Sequence, residues 1–467
     1  MIYNSRIMNE LFNHQRAGIN KIISRGGAGA LFWDTGTGKT RAALEIFKYY
    51  KGREPELQLL VVCPISLIES SWADDIKKFY AEFTYENLRT SQNLTADILL
   101  INYESIISKK FVPVLQCIKR KTFMVVADES QKIKSYNAKT TKCLLAIARS
   151  ADYRVVMSAT PAPNSEMEYW SQMCFLHPNI LGDNFFQFRN KYFCLIRGRA
   201  IVPLYGLGKR EIMTMMQRGY EMGVHPSAVS MIKERMAPFC MFVNKREVLD
   251  LPEEVDVFRK VEMTPEQKKS YKEMWDELVT EIQGQEISVN LALAKIMKVR
   301  QITGGFIYGQ EGAIEFEKNP KMQELKEVVE GIRRNSIIIF CQYRWEIEKI
   351  SEIFKERAVK LYGETKDKEG AIREFRAKRD GILVTHPLSA GIGLSFNECD
   401  YMVFYSLSYS FLEYYQCRGR IMRAGKQNRA TYIHIIAKDS IDEVIYKALQ
   451  NKEESQEIYR KIKGEKK

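Results

Sequence analysis

The stretch GALFWDTGTGKTRAALEIFKYY, residues 29–50, decides the fold of the first half of this chain. It begins with a short apolar run, passes through the glycine-containing segment DTGTG, and ends in the helix-like stretch KTRAALEIFKYY. A buried strand that leads through a tight loop into a helix is the repeating unit of a parallel sheet covered by helices. The pattern therefore predicts α/β structure around this segment.

Apolar runs of the same kind recur in two sets, each run followed by a polar turn and a helix-like stretch. The first set is GALFW (29–33), LLVVCP (59–64), ILLINY (98–103), FMVVAD (123–128) and RVVMSA (154–159). The second set is SIIIFC (336–341), GILVTH (381–386), YMVFYS (401–406) and TYIHIIA (431–437). Two separate sets of this type predict two tandem α/β lobes, each built on a parallel sheet.

The region between the two sets has a different pattern. Residues 205–240 read as a helical hairpin broken near Gly223 to Pro226, and residues 264–300 read as helical, with Thr264 as the N-cap and Pro265 in the first turn. The segment DLPEEV, 250–255, is the best candidate for a linker. We therefore expect a first lobe over 1–195, a helical insertion and the end of that lobe over 196–250, a linker and a helical insertion of the second lobe over 251–310, and the second lobe over 311–467.

Composition favours a polyanion as partner. The chain has 71 Lys and Arg against 58 Asp and Glu, a net charge of +13, and such an excess favours nucleic acid. The nine cysteines form no C-x-x-C pair and no zinc spacing, so they read as buried thiols in a reducing compartment. No long apolar span and no signal-peptide pattern is present, so we expect a cytoplasmic protein.

The segment WDTGTGKT, residues 33–40, ends like a phosphate-binding loop, although Trp33 stands where the usual pattern has its first glycine. Backbone N–H groups at the start of the following helix would surround the phosphates. The lysine would reach the β and γ phosphates, and the last threonine would hold Mg²⁺. The predicted nucleotide contacts of the loop are Thr35, Gly36, Thr37, Gly38, Lys39 and Thr40. A similar segment, YGLGKRE at 205–211, follows no strand and reads as a turn beside a helix.

Two further motifs follow predicted strands. In DESQ, 128–131, Asp128 would bind the metal and Glu129 would polarise the attacking water. In SATP, 158–161, Ser158 and Thr160 could form hydrogen bonds with the DESQ loop and relay the state of the nucleotide. An acidic pair or a short polar turn alone is common on protein surfaces, so these assignments depend on the phosphate loop beside them.

The segment YYQCRGRIMRAGKQ, 414–427, is predicted to be helical, because Ser410 and Glu413 have the spacing of a capping box. On such a helix Gln416, Arg420 and Arg423 would fall at i, i+4 and i+7, on one face. Two arginines on a shared face can neutralise charge on the γ phosphate in the transition state. The alternative for this segment alone is a solvated basic helix.

Together these motifs make the chain resemble the superfamily 2 helicases, and more narrowly the Swi/Snf-type double-stranded DNA translocases, from about residue 8 to residue 450. The segments that carry the resemblance are LFNHQRAGINKI (11–22), LLVVCPISLIESSWADDIKKF (59–79), ILLINYESI (98–106), DESQKIKSYNAK (128–139), SATPAPNSEMEYW (158–170), RMAPFCMFVNKREVLDLP (235–252), VEMTPEQKKSY (261–271), IIIFCQYR (337–344), THPLSAGIGLSF (385–396) and QCRGRIMRAGKQ (416–427).

The resemblance implies two RecA-like lobes that bind ATP and Mg²⁺, with Arg420 and Arg423 as catalytic residues beside Lys39, Asp128 and Glu129. It also implies an adenine contact by Gln15, further nucleotide contacts by Gly391 and Gln416, and a coupling role for Gln131. In this family the first position of the phosphate loop need not be glycine. Ser130 and Gln131 replace a more usual Ala-His pair, and Cys417 replaces a common alanine. The expected contacts to the nucleic-acid backbone are Ser66, Asn102, Lys134, Thr385 and Ser389.

The function indicated by these features is a DNA-stimulated ATPase that translocates on duplex DNA through sequence-independent phosphate contacts. A strand-separating helicase, acting on DNA or RNA, is the alternative. A non-catalytic scaffold with this fold is a third reading, and the intact catalytic motifs argue against it. We expect a monomeric motor of bacterial or viral type whose protein partners the sequence does not name.

Overall fold

The computed structural model describes residues 11–451 apart from 92, 119, 285–288, 333–334 and 391–393. The predicted nucleotide contact Gly391 therefore lies outside the described residues. The chain divides into two units, with the boundary between Leu249 and Asp250. Each unit is built on a parallel sheet with helices, which confirms the predicted fold class. The finer limits predicted at 195/196 and 310/311 stay predictions.

The first unit is built around a seven-stranded, all-parallel sheet with the order β10-β1-β6-β5-β2-β4-β3. The sheet contains all five strands predicted in the first half of the chain, together with β3 and β10, which were not predicted. The strands of this unit are β1 Ala28–Trp33, β2 Gln58–Cys63, β3 Tyr85–Asn87, β4 Ile98–Asn102, β5 Phe123–Asp128, β6 Tyr153–Met157, β7 Phe193–Arg197, β8 Ala200–Pro203, β9 Glu221–Val224 and β10 Cys240–Val243.

Helices connect these strands, and the core lies between them and the sheet. Alternate strand residues such as Ala30, Phe32 and Val125 pack with Leu144 and Met173 from two of the helices. The helices of the unit are α1 Asn13–Ser24, α2 Lys39–Lys51, α3 Ile65–Leu67, α4 Asp74–Phe79, α5 Tyr103–Ile106, α6 Phe111–Ile118, α7 Lys139–Ala148, α8 Tyr169–Leu176, α9 Phe185–Tyr192, α10 Lys209–Gln217, α11 Ala228–Met236 and α12 Lys245–Val248. One π-helical turn, Ile68–Ala73, joins α3 to α4.

The insertion between α8 and β10 differs from the predicted helical hairpin. Helices α10 and α11 are present, but strand β9 lies between them and pairs with β7 in a three-stranded antiparallel sheet of order β8-β7-β9. The hairpin prediction was therefore wrong in part: the residues near Gly223 do not simply break a helix, because they pair with the strand Phe193–Arg197. The segment YGLGKRE does precede a helix, since Gly208 is the N-cap of α10.

The second unit contains a six-stranded, all-parallel sheet of order β11-β18-β17-β14-β16-β15 and a small antiparallel hairpin, β12-β13. Its strands are β11 Glu254–Val261, β12 Phe306–Tyr308, β13 Ala313–Glu315, β14 Ile337–Phe340, β15 Ala358–Leu361, β16 Ile382–Thr385, β17 Tyr401–Phe404 and β18 Ala430–Ala437. Its helices are α13 Pro265–Gly284, α14 Val289–Gly304, α15 Pro320–Gly331, α16 Arg344–Phe354, α17 Lys368–Ala377, α18 Pro387–Ala390, α19 Phe411–Arg418 and α20 Ile441–Gln450.

All four predicted strands of this unit are present, and the predicted start of α13 is confirmed. Thr264 Oγ1 accepts the Gln267 N–H at 3.1 Å, and Gln267 Oε1 accepts the Thr264 N–H at 3.0 Å, a reciprocal cap. The candidate linker is shorter than proposed, because Glu254 and Val255 already belong to the edge strand β11 and pair with β18. Among the described residues no helix has the length and apolar character needed to cross a membrane.

Candidate nucleotide site and arginine segment

The segment between β1 and α2 has the backbone geometry of a phosphate-binding loop. Gly36 and Gly38 have φ angles of +82° and +81°, a left-handed conformation that glycine adopts without strain. A Cβ on Gly38 would lie 2.2 Å from Gln15 Nε2. Helix α2 begins at Lys39, and the N–H groups at a helix N-terminus point outward in the direction from which an anion can bind. The loop can therefore hold a phosphate group.

Trp33 is the last residue of β1, and it lies behind the loop rather than in it. The side chain is fully buried and its ring meets the His14 ring edge-on, with centroids 5.2 Å apart. A Cβ on Gly18 would lie 2.3 Å from Trp33 Cζ2, so α1 packs closely on the indole only because position 18 is glycine. The tryptophan therefore joins α1 to β1, and its presence leaves the loop Asp34–Gly38 intact.

Lys39 and Thr37 make hydrogen bonds to the start of their own loop. Lys39 Nζ donates to the carbonyl oxygens of Trp33 and Asp34, at 2.8 and 3.2 Å. Thr37 is almost fully buried, and its Oγ1 donates to the Asp34 carbonyl at 2.8 Å. Thr35 is also buried. The Lys39 ammonium group thus lies at the loop. A bound phosphate would compete with the Trp33 and Asp34 carbonyls for its hydrogen bonds.

Gln15 and His14 of α1 support the loop from the side. The Gln15 side chain is buried; its Oε1 accepts the Phe12 N–H at 2.9 Å, and its Nε2 donates to the carbonyls of Thr37 at 3.4 Å and Gly38 at 3.2 Å. His14 Nε2 lies 2.9 Å from the Thr37 carbonyl. These bonds give Gln15 a positioning role towards the loop. The adenine contact implied by the resemblance stays a prediction.

Asp128 ends strand β5, which β6 separates from β1 in the sheet, and it is buried, with 4% of its surface exposed. Its Oδ1 accepts the Glu129 N–H at 2.9 Å and its Oδ2 accepts the Trp72 indole N–H at 3.0 Å. Burial raises the pKa of Asp128 to about 7, and the charge of Glu129 adds to the rise, while Lys39 and the Trp72 hydrogen bond oppose it. Asp128 and Lys39 are therefore close enough to interact electrostatically.

Thr40 and Asp128 carry oxygen groups of the kind that a magnesium ion binds. Thr40 lies in the first turn of α2, and its Oγ1 is 3.1 Å from Ser71 Oγ. Mg²⁺ prefers hydroxyl, carboxylate, water and phosphate oxygens, and Thr40 and Asp128 supply a hydroxyl and a carboxylate. These donors suit the ion chemically, and the metal site itself stays a prediction.

A chain of hydrogen bonds links the acidic pair to the next strand. Gln131 Nε2 donates to Glu129 Oε2 at 2.6 Å, and Ser158 Oγ donates to Gln131 Oε1 at 2.6 Å. Ser158 Oγ in turn accepts the Thr160 N–H at 3.0 Å. Glu129 has a left-handed backbone, with φ of +54°, a conformation that costs about 1 kcal/mol or more outside glycine. The structure thus connects Glu129 with Gln131, Ser158 and Thr160, the three residues predicted to couple the site. Gln131 can join Glu129 to Ser158 because its amide both donates and accepts hydrogen bonds.

The arginine segment differs from the sequence prediction. Helix α19 begins after Ser410, whose Oγ accepts the Glu413 N–H at 3.3 Å, as predicted. The helix ends at Arg418, because the N–H of Arg420 turns to the Cys417 carbonyl at 2.9 Å and tightens the last turn. The predicted helical face shared by Gln416, Arg420 and Arg423 is therefore wrong. Gln416 is buried within α19, and both arginines lie in the irregular segment beyond it.

The two arginines differ in exposure. Arg420 is buried, with 3% of its surface exposed; its Nη1 donates to the Leu394 carbonyl at 3.1 Å, and its own carbonyl accepts the Phe396 N–H at 2.9 Å. Arg423 is half-buried, and its Nε donates to the Gly419 carbonyl at 3.1 Å. Arg420 thus braces the segment that contains Leu394 and Phe396, and Arg423 is the more accessible cation.

The predicted nucleic-acid contacts fall into two groups. Asn102 and Thr385 end strands β4 and β16, as expected, but both are buried. The Asn102 amide bonds to Glu104 at 2.6 Å and Ser105 at 2.5 Å, and Thr385 Oγ1 donates to the Leu361 carbonyl at 2.6 Å. The polar atoms of both side chains therefore have partners inside the protein, and contacts of Asn102 and Thr385 with nucleic acid stay predictions.

The three other predicted contacts to the nucleic-acid backbone are at least partly exposed. Ser66 is exposed in α3, and Ser389 is half-buried in α18. Lys134 Nζ forms an ion pair with Glu168 at 2.9 Å and keeps a third of its side chain exposed. Contacts by Ser66, Lys134 and Ser389 stay predictions.

Three supporting residues were not assigned roles from the sequence. Trp72 holds Asp128, Tyr103 Oη donates to the Asp128 carbonyl at 2.7 Å, and the Lys245 N–H donates to Asp34 Oδ2 at 2.9 Å. Trp72 and Lys245 lie in segments typical of the resembled family, which was the available signal. Their partners are 56 and 211 residues away in the chain, and no local pattern predicts such contacts.

Comparison with known families and proteins agrees with this geometry. Residues 14–304 match the SNF2-related domain, and residues 320–425 match the helicase conserved C-terminal domain. A protein p41 of Acyrthosiphon pisum secondary endosymbiont phage 1 is 26% identical over 91% of this chain and 92% of its own length. An uncharacterized ATP-dependent helicase of Mycoplasma pneumoniae is 23% identical over 95% of this chain.

The relatives differ in length. The chain spans nearly all of the phage protein but 42% of the Mycoplasma pneumoniae helicase. Among solved structures, the Sulfolobus solfataricus SWI2/SNF2 ATPase core in complex with dsDNA is 22% identical, with coverage of 97% of this chain and 92% of that one and a TM-score of 0.44.

Proposed function

Since the chain belongs to the SNF2-related family of ATP-dependent helicases, we propose that it is a motor that hydrolyses ATP to translocate on double-stranded DNA and to remodel or displace bound protein. The observation that carries the proposal is the continuous hydrogen-bonded path from the acidic pair to Thr160, next to a phosphate loop. Such a path connects the state of the nucleotide to residues that take no part in hydrolysis, as a motor requires.

In the proposed reaction the loop amides and Lys39 would bind the β and γ phosphates, and Thr40 and Asp128 would hold Mg²⁺. A bound magnesium ion supplies charge neutralisation for the phosphate oxygens. Glu129 orients the water and accepts its proton. Because Glu129 Oε2 also accepts a hydrogen bond from Gln131, a change in the charge of this carboxylate alters the Gln131–Ser158 contact.

Arg423, supported by Arg420, would stabilise the negative charge that develops on the γ phosphate. An arginine that stabilises the charge developing on the γ phosphate is worth about 10³-fold or more in rate in related phosphoryl-transfer enzymes. Cycles of ATP binding and hydrolysis would drive the conformational changes that move the motor along the DNA backbone.

Duplex DNA is the proposed track because the chain carries a net charge of +13 and the family includes proteins with this activity. Phosphate contacts carry no sequence information, so binding is expected to be sequence-tolerant and sensitive to salt. Ser66, Lys134 and Ser389 are the proposed contacts. We further propose that the motor acts as a monomer in the cytoplasm of a bacterial cell or of a cell infected by a virus.

The direct test is the rate of ATP hydrolysis with and without duplex DNA, for the wild type and for Lys39→Ala. We expect the duplex to raise the wild-type rate and to leave the variant without activity. Equal wild-type rates with and without duplex would contradict the proposal.

The alternative function is that of a strand-separating helicase on DNA or RNA. A strand-displacement assay on a tailed duplex distinguishes the two functions. Robust unwinding would favour the helicase, whereas DNA-stimulated hydrolysis without unwinding, together with displacement of a bound protein from an intact duplex, would favour translocation.

A further inference from the structure

The insertion module, defined here as Phe185–Met236 and built from α9, the β8-β7-β9 sheet, α10 and α11, has an unusual charge. It contains nine Lys and Arg and three Glu, a net charge of +6 within a chain whose net charge is +13. Nearly half of the excess positive charge therefore lies in about a ninth of the chain. None of this charge is needed by the nucleotide site described above.

The positive side chains of the module face solvent. Eight of the nine are exposed, and Arg189 is half-buried. The exposed ones are Lys191, Arg197, Arg199, Lys209, Arg210, Arg218, Lys233 and Arg235. One of the three glutamates, Glu211, caps α10 by accepting the Gly208 N–H at 2.6 Å, so its carboxylate serves the helix. A dense set of exposed cations with few acidic neighbours is suited to a polyanion.

The apolar side of the module is fixed to the rest of the first unit. Leu195, Leu204, Ile212 and Ile232 are part of its main core. Positive charge on such an anchored element can resist or transmit force, whereas charge on a loose tail cannot.

An aromatic contact joins the module to the loop that follows the acidic pair. The Tyr136 and Phe185 rings stack with centroids 3.7 Å apart and planes 9° apart, and Trp170 meets Phe185 edge-on. Tyr136 lies two residues after Lys134, a proposed backbone contact. The module therefore packs, through the Tyr136–Phe185 stack, against the loop that also contains Lys134.

The turn before α10 presents an aromatic side chain between the basic segments. Tyr205 is 88% exposed, and Gly206 beside it has a φ of +83°. Tyrosine, lysine and arginine side chains are common donors to phosphate and sugar oxygens in protein–DNA contacts. An exposed tyrosine followed by Lys209 and Arg210 at the start of a helix has the composition of such a contact.

We propose that the insertion module binds the phosphate backbone of duplex DNA as a second contact region, separate from Ser66, Lys134 and Ser389. This inference rests on the proposed function, since it assigns a further binding surface to the same track. The module would keep the motor on the duplex while those three contacts are released. An acidic protein surface is the competing ligand.

The test compares duplex binding over a range of salt concentrations for the wild type and a variant with Arg197→Gln, Arg199→Gln, Lys209→Gln and Arg210→Gln. All four side chains are exposed, and thermal unfolding checks that the variant is folded. Each lost phosphate contact lowers the slope of log K against log salt by roughly 0.9, so the slope falls by up to about 3.6. Fluorescence anisotropy of a labelled duplex gives both affinities.

A matched control removes the same charge elsewhere in the first unit. Arg25, Arg53, Arg120 and Arg149 are exposed and lie in segments that lead into β1, β2, β5 and β6. The four arginines therefore lie near the amino ends of these strands, whereas Asp128 and the loop before Lys39 lie at the carboxyl ends. Changing these four arginines to glutamine is expected to alter the slope much less than the module variant does.

The outcomes separate the inference from the proposed function. A reduced slope and a weaker affinity in the module variant alone support the inference. If the wild type binds duplex and the two variants behave alike, the inference is overturned and the acidic protein surface becomes the better ligand. If the wild type has no affinity for duplex at low salt, the proposed function fails, and the inference fails with it.

Discussion

Trp33 illustrates how a departure from a motif at one residue can be structural. The usual phosphate-loop pattern has glycine at this position, but here the indole fills the space between β1 and α1, against Gly18 and His14. The residues that would touch phosphate begin after it. The sequence alone could mark the departure, and only the contact with Gly18 explains why it is tolerated.

Restoring the common residue is therefore expected to harm the protein. Trp33→Gly removes a fully buried indole and should lower the free energy of unfolding by about 3–5 kcal/mol, as large-to-small core changes do. Chemical denaturation of the first unit measures the loss. Gly18→Ala is the matched change on the other side of the contact, because its new Cβ would collide with the same ring. A Trp33→Gly variant as stable as the wild type would contradict this account of the loop.

Among the elements of the site, the 3₁₀ turn Ser130–Ile133 connects Glu129 to the rest of the first unit by hydrogen bonds. Two of its side chains, Ser130 and Gln131, bond to different partners. Gln131 joins Glu129 to Ser158, whereas Ser130 Oγ donates to Gln172 Oε1 at 2.6 Å, in a separate contact with α8. This division allows the coupling path to be removed without loss of the turn.

Gln131→Ala should reduce the stimulation of ATP hydrolysis by duplex about tenfold, the effect of roughly 1.4 kcal/mol from two lost hydrogen bonds. ATP affinity should change little, because Gln131 does not contact the phosphate loop. Steady-state rates with and without duplex, together with nucleotide binding, measure both effects. Ser130→Ala is the control and should keep the stimulation. Equal stimulation in the two variants would show that the path through Gln131 has no coupling role.

Helix and strand limits show where sequence patterns stop being informative. The cap at Thr264 and the start of α19 at Ser410 follow from local hydrogen bonds, and both were predictable. The end of α19 was not, because the turn at Arg420 depends on its bonds with Leu394 and Phe396, distant in sequence. Strand β9 likewise depends on pairing with β7. The periodicity of a sequence does not predict elements whose limits depend on partners far away in the chain.

At the scale of the whole molecule, each unit has its own core and its own sensitivity to conditions. In the second unit His434 is fully buried between the Phe258 and Phe404 rings, which stack on it with centroids 5.2 and 5.1 Å away. His434 Nε2 lies 2.9 Å from Asp256 Oδ1, and Arg418 Nη1 lies 2.6 Å from the same oxygen. Burial lowers the pKa of His434 despite the nearby carboxylate.

This arrangement predicts a loss of stability in mild acid. In the unfolded chain His434 takes up a proton near its ordinary pKa of about 6.5, whereas the folded protein holds it neutral to lower pH. The unfolded state therefore binds more protons as pH falls below that value, and the free energy of unfolding falls. His434→Phe keeps the ring stack and should show a weaker pH dependence between about pH 7 and 5. Denaturant unfolding at several pH values checks this, and parallel curves for the two proteins would refute it.

Much of the molecule followed from its sequence. The two parallel sheets were predictable because buried strands form continuous apolar runs, and the acidic pair was predictable because it ends one of them. The supports of the site were not. Trp72 and Lys245 reach Asp128 and Asp34 across long stretches of chain, and the burial of Asn102 and Thr385 depends on how neighbouring segments pack.

The central claim is that ATP hydrolysis by this chain requires Arg423 as well as Lys39. The measurement that tests it most directly is the rate of ATP hydrolysis at saturating duplex for Arg423→Ala, together with its affinity for ATP. We predict a loss of about 10³-fold in rate, with ATP affinity close to that of the wild type, because the phosphate loop is unchanged. Wild-type hydrolysis by Arg423→Ala would contradict the claim.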